Sequence, residues 1–212
     1  MDIIDHKGEH PVEVYQQHIA TLDPQEIAAR TDLTYDEGAQ TFMVTLLGRP
    51  VATRWPDLAT TYQDTGEETP NGVRILMACL LSHGRLIPGT GKFLSYNQVP
   101  SGDHYFKAFE GRCLKRLAFM FKSAEQFAAA CEACGGKRVK GGDAAYEFAF
   151  IANPANDQDT VYLQLIVWEG DDEFPPNAQI LFSDNVSLAL TAEELAAAGD
   201  IILGALKRAR TD

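Results

Sequence analysis

The stretch that decides the fold spans residues 159–176 and reads Asp159-Thr-Val-Tyr-Leu-Gln-Leu-Ile-Val-Trp168-Glu-Gly-Asp-Asp-Glu-Phe-Pro-Pro176. Its first half is apolar at both sets of alternating positions, which predicts a strand that is covered on both faces. Gln164 is the polar exception, and a buried amide there needs hydrogen-bond partners. Gly170 permits a sharp bend, and the two prolines cannot donate to a further ladder. The stretch therefore predicts a rigid strand that ends in a short, fixed loop.

Four carboxylates crowd into the five residues after this strand, and two aromatic side chains bracket them. We call residues 169–173 the acidic loop. A loop held between a strand and a proline stop keeps its groups in place, which suits a binding site. We therefore predict a ligand site in which aromatic rings supply contact area and carboxylates supply polarity. Its residues are Trp168, Glu169, Asp171, Asp172, Glu173 and Phe174, with Asp143 and Lys92 as neighbours.

Several other interpretations of the acidic loop stay open. Carboxylate oxygens are the ligands of hard cations, so Glu169, Asp171 and Glu173 form a candidate divalent-cation site. Crowded carboxylates raise one another's pKa, which suits a Mg²⁺-assisted or acid/base enzyme if two of them converge in a pocket. An exposed apolar patch beside the acids would instead indicate a protein-interaction module. The plain alternative is a solvated loop, or a salt-bridge network that ties strands to helices.

The composition narrows the class of protein. Of the 212 residues, 45% are hydrophobic and 23% are charged, as in an ordinary globular domain. The formal charge of −12 opposes nucleic-acid binding and suits a cationic ligand or partner. No apolar run approaches the ~20 residues that span a bilayer, and the first residues lack the pattern of a secretion signal. We expect a cytoplasmic protein that binds a small molecule or a protein partner, with neither nucleic acid nor membrane as partner.

Alternating and helical patterns predict a single α+β domain with a mostly antiparallel sheet. Two hairpins, at residues 41–55 and 144–168, pack with about six helices. We place the turn of the first hairpin at Gly48-Arg49, and Pro50 indicates an edge strand. The domain is expected to cover residues 1–212, with frayed ends at 1–10 and 209–212.

Capping signals set the remaining boundaries. Asp23 is predicted to cap a short helix, Ser123 opens another with a capping box, and Asn71 caps a buried helix over residues 72–83. Residues 35–38 are predicted to form a turn. A helix over residues 103–122 carries a basic face, which we interpret as solvated, with a counter-surface for the acidic loop as the alternative. The basic residues of that face are Arg112, Lys115, Arg116 and Lys122.

Other chemistries lack the residue spacing that they need. Cys131 and Cys134 lie in the last turn of a predicted helix, where the helix dipole does not activate thiols, so we predict structural thiols. The histidines show no ligand spacing, and His83 at a helix end is predicted to be structural. Residues 88–92 have the glycines and lysine of a phosphate loop but not its spacing.

Several motifs resemble an uncharacterised prokaryotic family, a domain of unknown function found mainly in anaerobic bacteria and archaea. The signature is Trp168-Glu-Gly-Asp-Asp-Glu-Phe-Pro175, followed by Ile180-Leu-Phe182 and Thr191-Ala-Glu-Glu-Leu195. A weaker likeness extends back through Gly91-Lys92-Phe93-Leu94-Ser95-Tyr96 to the first hairpin.

That resemblance implies an association with anaerobic redox or one-carbon metabolism, because some relatives carry an added iron–sulfur module. This chain has no such cysteine-rich module, and Cys131 and Cys134 match no motif of the family, so we do not expect an iron–sulfur cluster. The resemblance implies no activity.

Overall fold

An antiparallel sheet forms the frame of the molecule, and the hairpin predicted at residues 144–168 lies in its middle. The computed structural model describes residues 11–210. Of the ends predicted to be frayed, 1–10 and 209–212, residues 1–10 and 211–212 fall outside the described part, and Ala209 is the last residue of the C-terminal helix. The strands are β1 (Thr34–Asp36), β2 (Thr41–Leu46), β3 (Arg49–Arg54), β4 (Thr60–Tyr62), β5 (Phe93–Ser95), β6 (Lys137–Arg138), β7 (Ala144–Asn153), β8 (Asn156–Trp168) and β9 (Asn177–Ser183).

The main path of the sheet runs β4-β3-β2-β7-β8-β9-β5, with β1 beside β2 and β6 beside β7. Every pairing is antiparallel. The predicted α+β class with a mostly antiparallel sheet is therefore confirmed. The α-helices are α1 (Pro11–Ile19), α2 (Pro24–Thr31), α3 (Asn71–His83), α4 (Gly102–Phe109), α5 (Lys115–Ala118), α6 (Ala124–Ala133), α7 (Val186–Ala189) and α8 (Ala192–Ala209). A 3₁₀ turn (Tyr96–Gln98) follows β5, and a π-helical turn (Glu110–Leu114) joins α4 to α5.

The core lies between one face of the sheet and the helices. Leu163 and Leu165 on β8 and Phe148 on β7 are buried on this face. Phe127 of α6 packs edge-to-face against Tyr146 of β7, with their ring centroids 5.8 Å apart. These contacts pack the middle strands against the helices. The acidic loop follows directly after the last residue of β8, so it begins from a well-packed strand.

The expected coverage of β8 on both faces is wrong. Tyr162 and Gln164, on the other face, are only half-buried. Gln164 donates from Nε2 to the Glu147 carboxylate at 2.9 Å across the β7–β8 pair, so it needs no buried partner. Ile166 on this face is nevertheless buried, because the Gly141–Gly142 turn lies close to its side chain. An antiparallel sheet with one packed face and one wet face is the arrangement that results.

The first hairpin turns one residue earlier than predicted. Leu46 pairs with Arg49, and the two residues between them have φ of 49° and 76°. Two left-handed residues form the turn that suits the twist of a hairpin, so Leu47 takes the place that the prediction gave to Arg49. The edge position expected for Pro50 is also wrong, because β3 lies between β2 and β4.

Capping predictions were confirmed at two helices and failed at a third. The side chains of Asp23 and Ser123 accept hydrogen bonds from Gln25 N and Gln126 N, at 2.8 and 3.3 Å. Helix α3 begins at Asn71 itself, and Pro70 precedes it without a side-chain cap. Of the turn predicted at residues 35–38, Tyr35 and Asp36 belong to β1, whereas residues 37–38 lie in the turn that follows it.

The helix predicted over residues 103–122 contains the π-helical turn and ends at Ala118. Because a π-helical turn holds more residues than an α-helical one, it shifts the side chains that follow it around the helix axis.

Candidate functional site: an acidic–aromatic cleft

Backbone hydrogen bonds fold the acidic loop onto itself. The Asp171 carboxylate accepts from the backbone N–H groups of Glu173 and Phe174 at 2.8 and 2.7 Å. The Asp171 N–H in turn donates to the Phe174 carbonyl at 2.9 Å. A Cβ added at Gly170 would lie 2.8 Å from the backbone nitrogen of Pro176. Only glycine fits this close crossing, so the loop is a fixed structure and not a mobile acidic tail.

Glu169 ties the start of the loop to two neighbouring elements. Its N–H donates to Asp143 Oδ2 at 2.7 Å, and the Asp143 N–H donates to the Val167 carbonyl at 2.9 Å. The Glu169 carboxylate accepts a hydrogen bond from the N–H of Ala124, the first residue of α6. A carboxylate is favourable at a helix N-terminus, because the orphan N–H groups there need acceptors. Asp143 is thus a neighbour of the site, as predicted, through a direct hydrogen bond.

A cleft opens between this loop and the helical segment from the π-helical turn to α6. One part, of about 350 Å³, lies against the α5–α6 connection. An adjoining part, of about 730 Å³, extends along α5 to Glu110 and Asn177. We call both parts together the acidic–aromatic cleft. The residues that line both parts are Ala118, Trp168, Glu169, Phe174, Pro175 and Pro176.

Large apolar side chains are exposed around this cleft. Phe119 is 65% exposed, Phe174 66% and Trp168 37%. Leu188 on α7, 48% exposed, is the remaining large hydrophobic side chain exposed in residues 11–210. Phe119 lies where α5 ends, opposite Phe174 in the larger part of the cleft. Contiguous exposed apolar surface of this kind is typical of a binding site, whereas single exposed residues are ordinary.

The charges around the cleft divide into internal and outward groups. Hydrogen bonds from the N–H groups of Phe174 and Glu173 lower the pKa of Asp171 below its usual range. The exposed carboxylates of Asp172 and Glu173 make no hydrogen bond or ion pair within the described residues. Lys122 and Lys115 line the opposite wall. The cleft is therefore lined by apolar side chains, by the loop carboxylates of Glu169 and Asp171, and by lysines on the helix side. The predicted site residues Asp172 and Glu173 line neither part of it.

The basic helix face predicted as solvated divides in the same way. Arg116 pairs with Asp200 of α8 at 3.1 Å, and Arg112 also bonds to Asp200. Lys115 and Lys122 instead border the cleft, and both are exposed, with no ion pair to the acidic loop within the described residues.

Lys92 does not lie near the predicted site. Its carbonyl accepts from the Asp184 N–H at 3.0 Å, beyond the end of β9 that is opposite Trp168. In the same segment the N–H of Thr90 donates to Asp184 Oδ1 at 2.9 Å. A carboxylate of the chain itself therefore accepts the backbone N–H at the position where a phosphate loop would bind phosphate. Phe119 was not among the predicted site residues; it is the C-cap residue of α5, inside the segment that was predicted to continue as a helix to residue 122.

Metal-ligating and nucleophilic groups do not gather at the cleft. Within residues 11–210, no three or more His, Cys, Asp or Glu side chains come together in a way that could hold a metal ion. Cys131 is buried and free, and its burial raises the pKa of its thiol. His83 pairs through Nε2 with Glu194 Oε2 at 3.2 Å and links α3 to α8.

The fold is that of an α+β domain with a cleft beside the acidic loop. A family model, the domain of unknown function DUF3786, matches residues 23–205, and the chain belongs to this family. The match includes every residue of the cleft. No curated protein and no solved structure matches the chain. None of the helices in the described part has the length and apolar character needed to cross a membrane.

Proposed function

We propose that this chain is a binding domain whose acidic–aromatic cleft holds a segment of a partner protein. The observation that carries the proposal is the exposure of Phe119, Phe174 and Trp168 around one cleft. Buried in an interface, such aromatic side chains are the residues that dominate binding energy. Their solvent exposure in the free chain is costly, and a partner that covers them would remove that cost.

The rim of the cleft indicates the chemistry of the partner. Glu169 and Asp171 line the cleft, and Asp172 and Glu173 add two exposed carboxylates in the same loop. The chain as a whole carries a formal charge of −12. An apolar centre with a charged rim is the usual anatomy of a protein interface. We therefore propose a partner segment with apolar anchor residues and Lys or Arg side chains that face the acidic loop.

Catalysis has weaker support at this place. An acid/base enzyme needs two carboxylates directed into a pocket. Glu169 and Asp171 instead accept hydrogen bonds from backbone N–H groups. A small-molecule ligand in the smaller part of the cleft stays the second candidate, because about 350 Å³ lies within the usual size of such sites.

The family resemblance indicates the metabolic context in which the partner would act. We propose that it belongs to the anaerobic redox or one-carbon metabolism of a prokaryotic cell, and that the domain is cytoplasmic. Both proposals rest on the sequence alone.

A peptide library displayed on phage tests the proposed function. The full chain is immobilised, and peptides are selected and sequenced. We expect enrichment of peptides that combine Lys or Arg with aromatic or large aliphatic residues. Their affinity is expected to fall at least about 10-fold for the double variant Phe119→Ser/Phe174→Ser, because truncation of interface aromatics has effects of this size.

Leu188→Ser is the matched control, since it removes an exposed hydrophobic side chain away from the cleft. Selected peptides should bind this variant as they bind the natural chain. Selection of no consensus, or equal binding to the double variant, would overturn the proposal. A small-molecule function would appear as cleft-specific chemical shift changes with metabolite mixtures in the absence of peptide binding.

A further inference from the structure

Two carboxylates meet at the far end of the central hairpin, away from the cleft. Asp32 follows the last residue of α2 and has φ of 54°, in the left-handed region. Asp159 lies early in β8, just after the β7–β8 turn. Asn153 joins the two elements by donating from Nδ2 to the Asp32 carbonyl at 2.6 Å. We call Asp32 and Asp159 the carboxylate pair.

One amide group contacts both members of the pair. Asn156 Nδ2 donates to Asp32 Oδ2 at 3.2 Å and to Asp159 Oδ2 at 3.0 Å. Two acceptors of one –NH₂ group lie within a few ångströms of each other, so the two carboxylates are close neighbours. Like charges at this separation repel each other unless a proton or a cation lies between them.

Asp159 has one amide donor, to Oδ2, and no cationic partner among the described residues. Its side chain is only 4% exposed, and Oδ1 has no hydrogen-bond partner among the described residues. No basic side chain of residues 11–210 forms an ion pair with Asp159 or Asp32. Burial, together with the neighbouring Asp32 carboxylate, raises the pKa of Asp159. An unpaired buried carboxylate is expensive, and its orphan oxygen is a ligand position that the chain itself leaves unused.

The surrounding turn holds the pair in place. Asn153 Oδ1 accepts from Ala155 N at 2.9 Å, and Asn156 Oδ1 accepts from Gln158 N at 3.2 Å. These bonds fix the orientation of both amides. The β7–β8 ladder also shifts register twice beside this turn, between Ala149 and Asn153. Such irregularities are typical of places where a strand end is re-aimed toward a site.

We infer that Asp32 and Asp159 bind a hard divalent cation, Ca²⁺ or Mg²⁺, between their carboxylates. Asp159 Oδ1 supplies the buried ligand, and the exposed carboxylate of Asp32 supplies a second ligand and access from solvent. Such cations take carboxylate oxygens and complete their coordination with water, so two protein carboxylates are sufficient for a weak site. The cation would tie α2 to the turn of the central hairpin. This inference does not depend on the proposed function of the cleft.

Thermal unfolding of the full chain tests the inference. The protein is treated with a chelator, and Tm is measured at pH 7 and constant ionic strength while CaCl₂ or MgCl₂ replaces NaCl. A cation at 100 times its Kd is expected to raise Tm by about 5–10 °C for a chain of this size. Calorimetric titration should give one site per chain.

The variants Asp159→Asn and Asp32→Asn are expected to abolish the rise, because each removes one anionic ligand. Both keep the size of the side chain, so at least one should fold. Glu68→Gln is the matched control, since it removes one negative charge from an exposed residue outside both the carboxylate pair and the acidic loop, and its Tm should rise as in the natural chain.

A rise that persists in both Asp variants, or that disappears equally in Glu68→Gln, would overturn the inference. So would an unchanged Tm of the natural chain at 10 mM of either cation. If the cations leave the Tm of the natural chain unchanged and Asp159→Asn has a higher Tm than the natural chain at pH 7, the two carboxylates share a proton instead of a cation.

Discussion

The acidic loop and the carboxylate pair place aspartates in opposite environments. In the loop, Asp171 accepts hydrogen bonds from two backbone N–H groups, which lower its pKa. In the pair, Asp159 is buried beside Asp32, which raises its pKa. The loop holds more acids, but the pair holds the less compensated charge.

This contrast shows that the number of acidic residues in a segment does not determine how far the pKa values of their carboxyl groups are shifted, or in which direction. Backbone N–H groups that donate to a carboxylate stabilise its charged form and at the same time fix the backbone around it. In the acidic loop these hydrogen bonds hold the segment between Trp168 and Phe174. Burial near a like charge does the reverse and leaves a group that needs a ligand or a proton. A site is therefore indicated by unsatisfied groups more reliably than by a run of acids.

The largest expected effect is a loss of stability when the close backbone crossing at Gly170 in the acidic loop is disturbed. Gly170→Ala places a Cβ 2.6–2.8 Å from Pro176 atoms, so the backbone must shift. We expect the free energy of unfolding to fall by about 1–3 kcal/mol, and peptide binding to the cleft to weaken. Denaturant unfolding measures the first effect. Gly111→Ala is the control, because nothing lies within 4 Å of its added Cβ, and unchanged stability in both variants would show that the loop is not fixed.

A smaller effect concerns the outward charges of the loop. Asp172→Lys/Glu173→Lys should weaken binding of a basic peptide about 10-fold at low salt, with the difference shrinking as salt rises. Tm should change little, because neither carboxylate has a bond within the described residues. Glu67→Lys/Glu68→Lys reverses two exposed charges elsewhere and should leave the affinity almost unchanged. Equal losses in both double variants would mean that only net charge matters.

In the carboxylate pair, removing one charge should stabilise the chain. With cations chelated, Asp159→Asn is expected to raise the free energy of unfolding at pH 7 by an amount on the order of 1 kcal/mol. The folded-state pKa is above the ordinary 3.8, so the natural chain loses stability as pH rises from about 3.8 through that higher pKa. Asn does not titrate, so the gain should vanish at low pH. A gain that is independent of pH would contradict the raised pKa.

The smallest expected effect is at Asp171, which is exposed. Its folded-state pKa is below the ordinary 3.8, so its contribution is present above pH 3.8 and disappears as pH falls through the lower pKa. Asp171→Ala should lower Tm at pH 7 more than Asp171→Asn does, because Asn keeps an acceptor for the N–H groups of Glu173 and Phe174. Equal Tm values for the natural chain and both variants would mean that these bonds do not hold the loop.

Much of the sheet could be predicted from local patterns. Alternation along residues 144–168 identified the central hairpin, because one packed face imposes a period of two. The covered side of β8 could not be predicted, since its second face is nearly as apolar as its first. Leu47 in a left-handed turn conformation also left no local signal, because the register with β3 requires it.

The candidate site was predictable only where it is continuous in sequence. The strand, Gly170 and the proline stop predicted where the chain turns, and the structure adds the hydrogen bonds of Asp171 that fold the loop onto itself. The opposite wall is formed by a helical segment that ends at Ala118, four residues earlier than predicted, so Phe119 at its end left no signal in the predicted helix. The carboxylate pair depends on tertiary contact, since Asn156 bonds to a residue 124 positions earlier.

The most direct measurement is a titration of the aspartate carboxyl carbons by NMR, in chelated buffer, with Asp171→Asn and Asp159→Asn used to assign the two signals. We expect Asp171 to titrate below 3.8 and Asp159 above it. Midpoints that coincide near 3.8, or that lie in the reverse order, would contradict the contrast between a loop with satisfied charges and a pair that needs a cation.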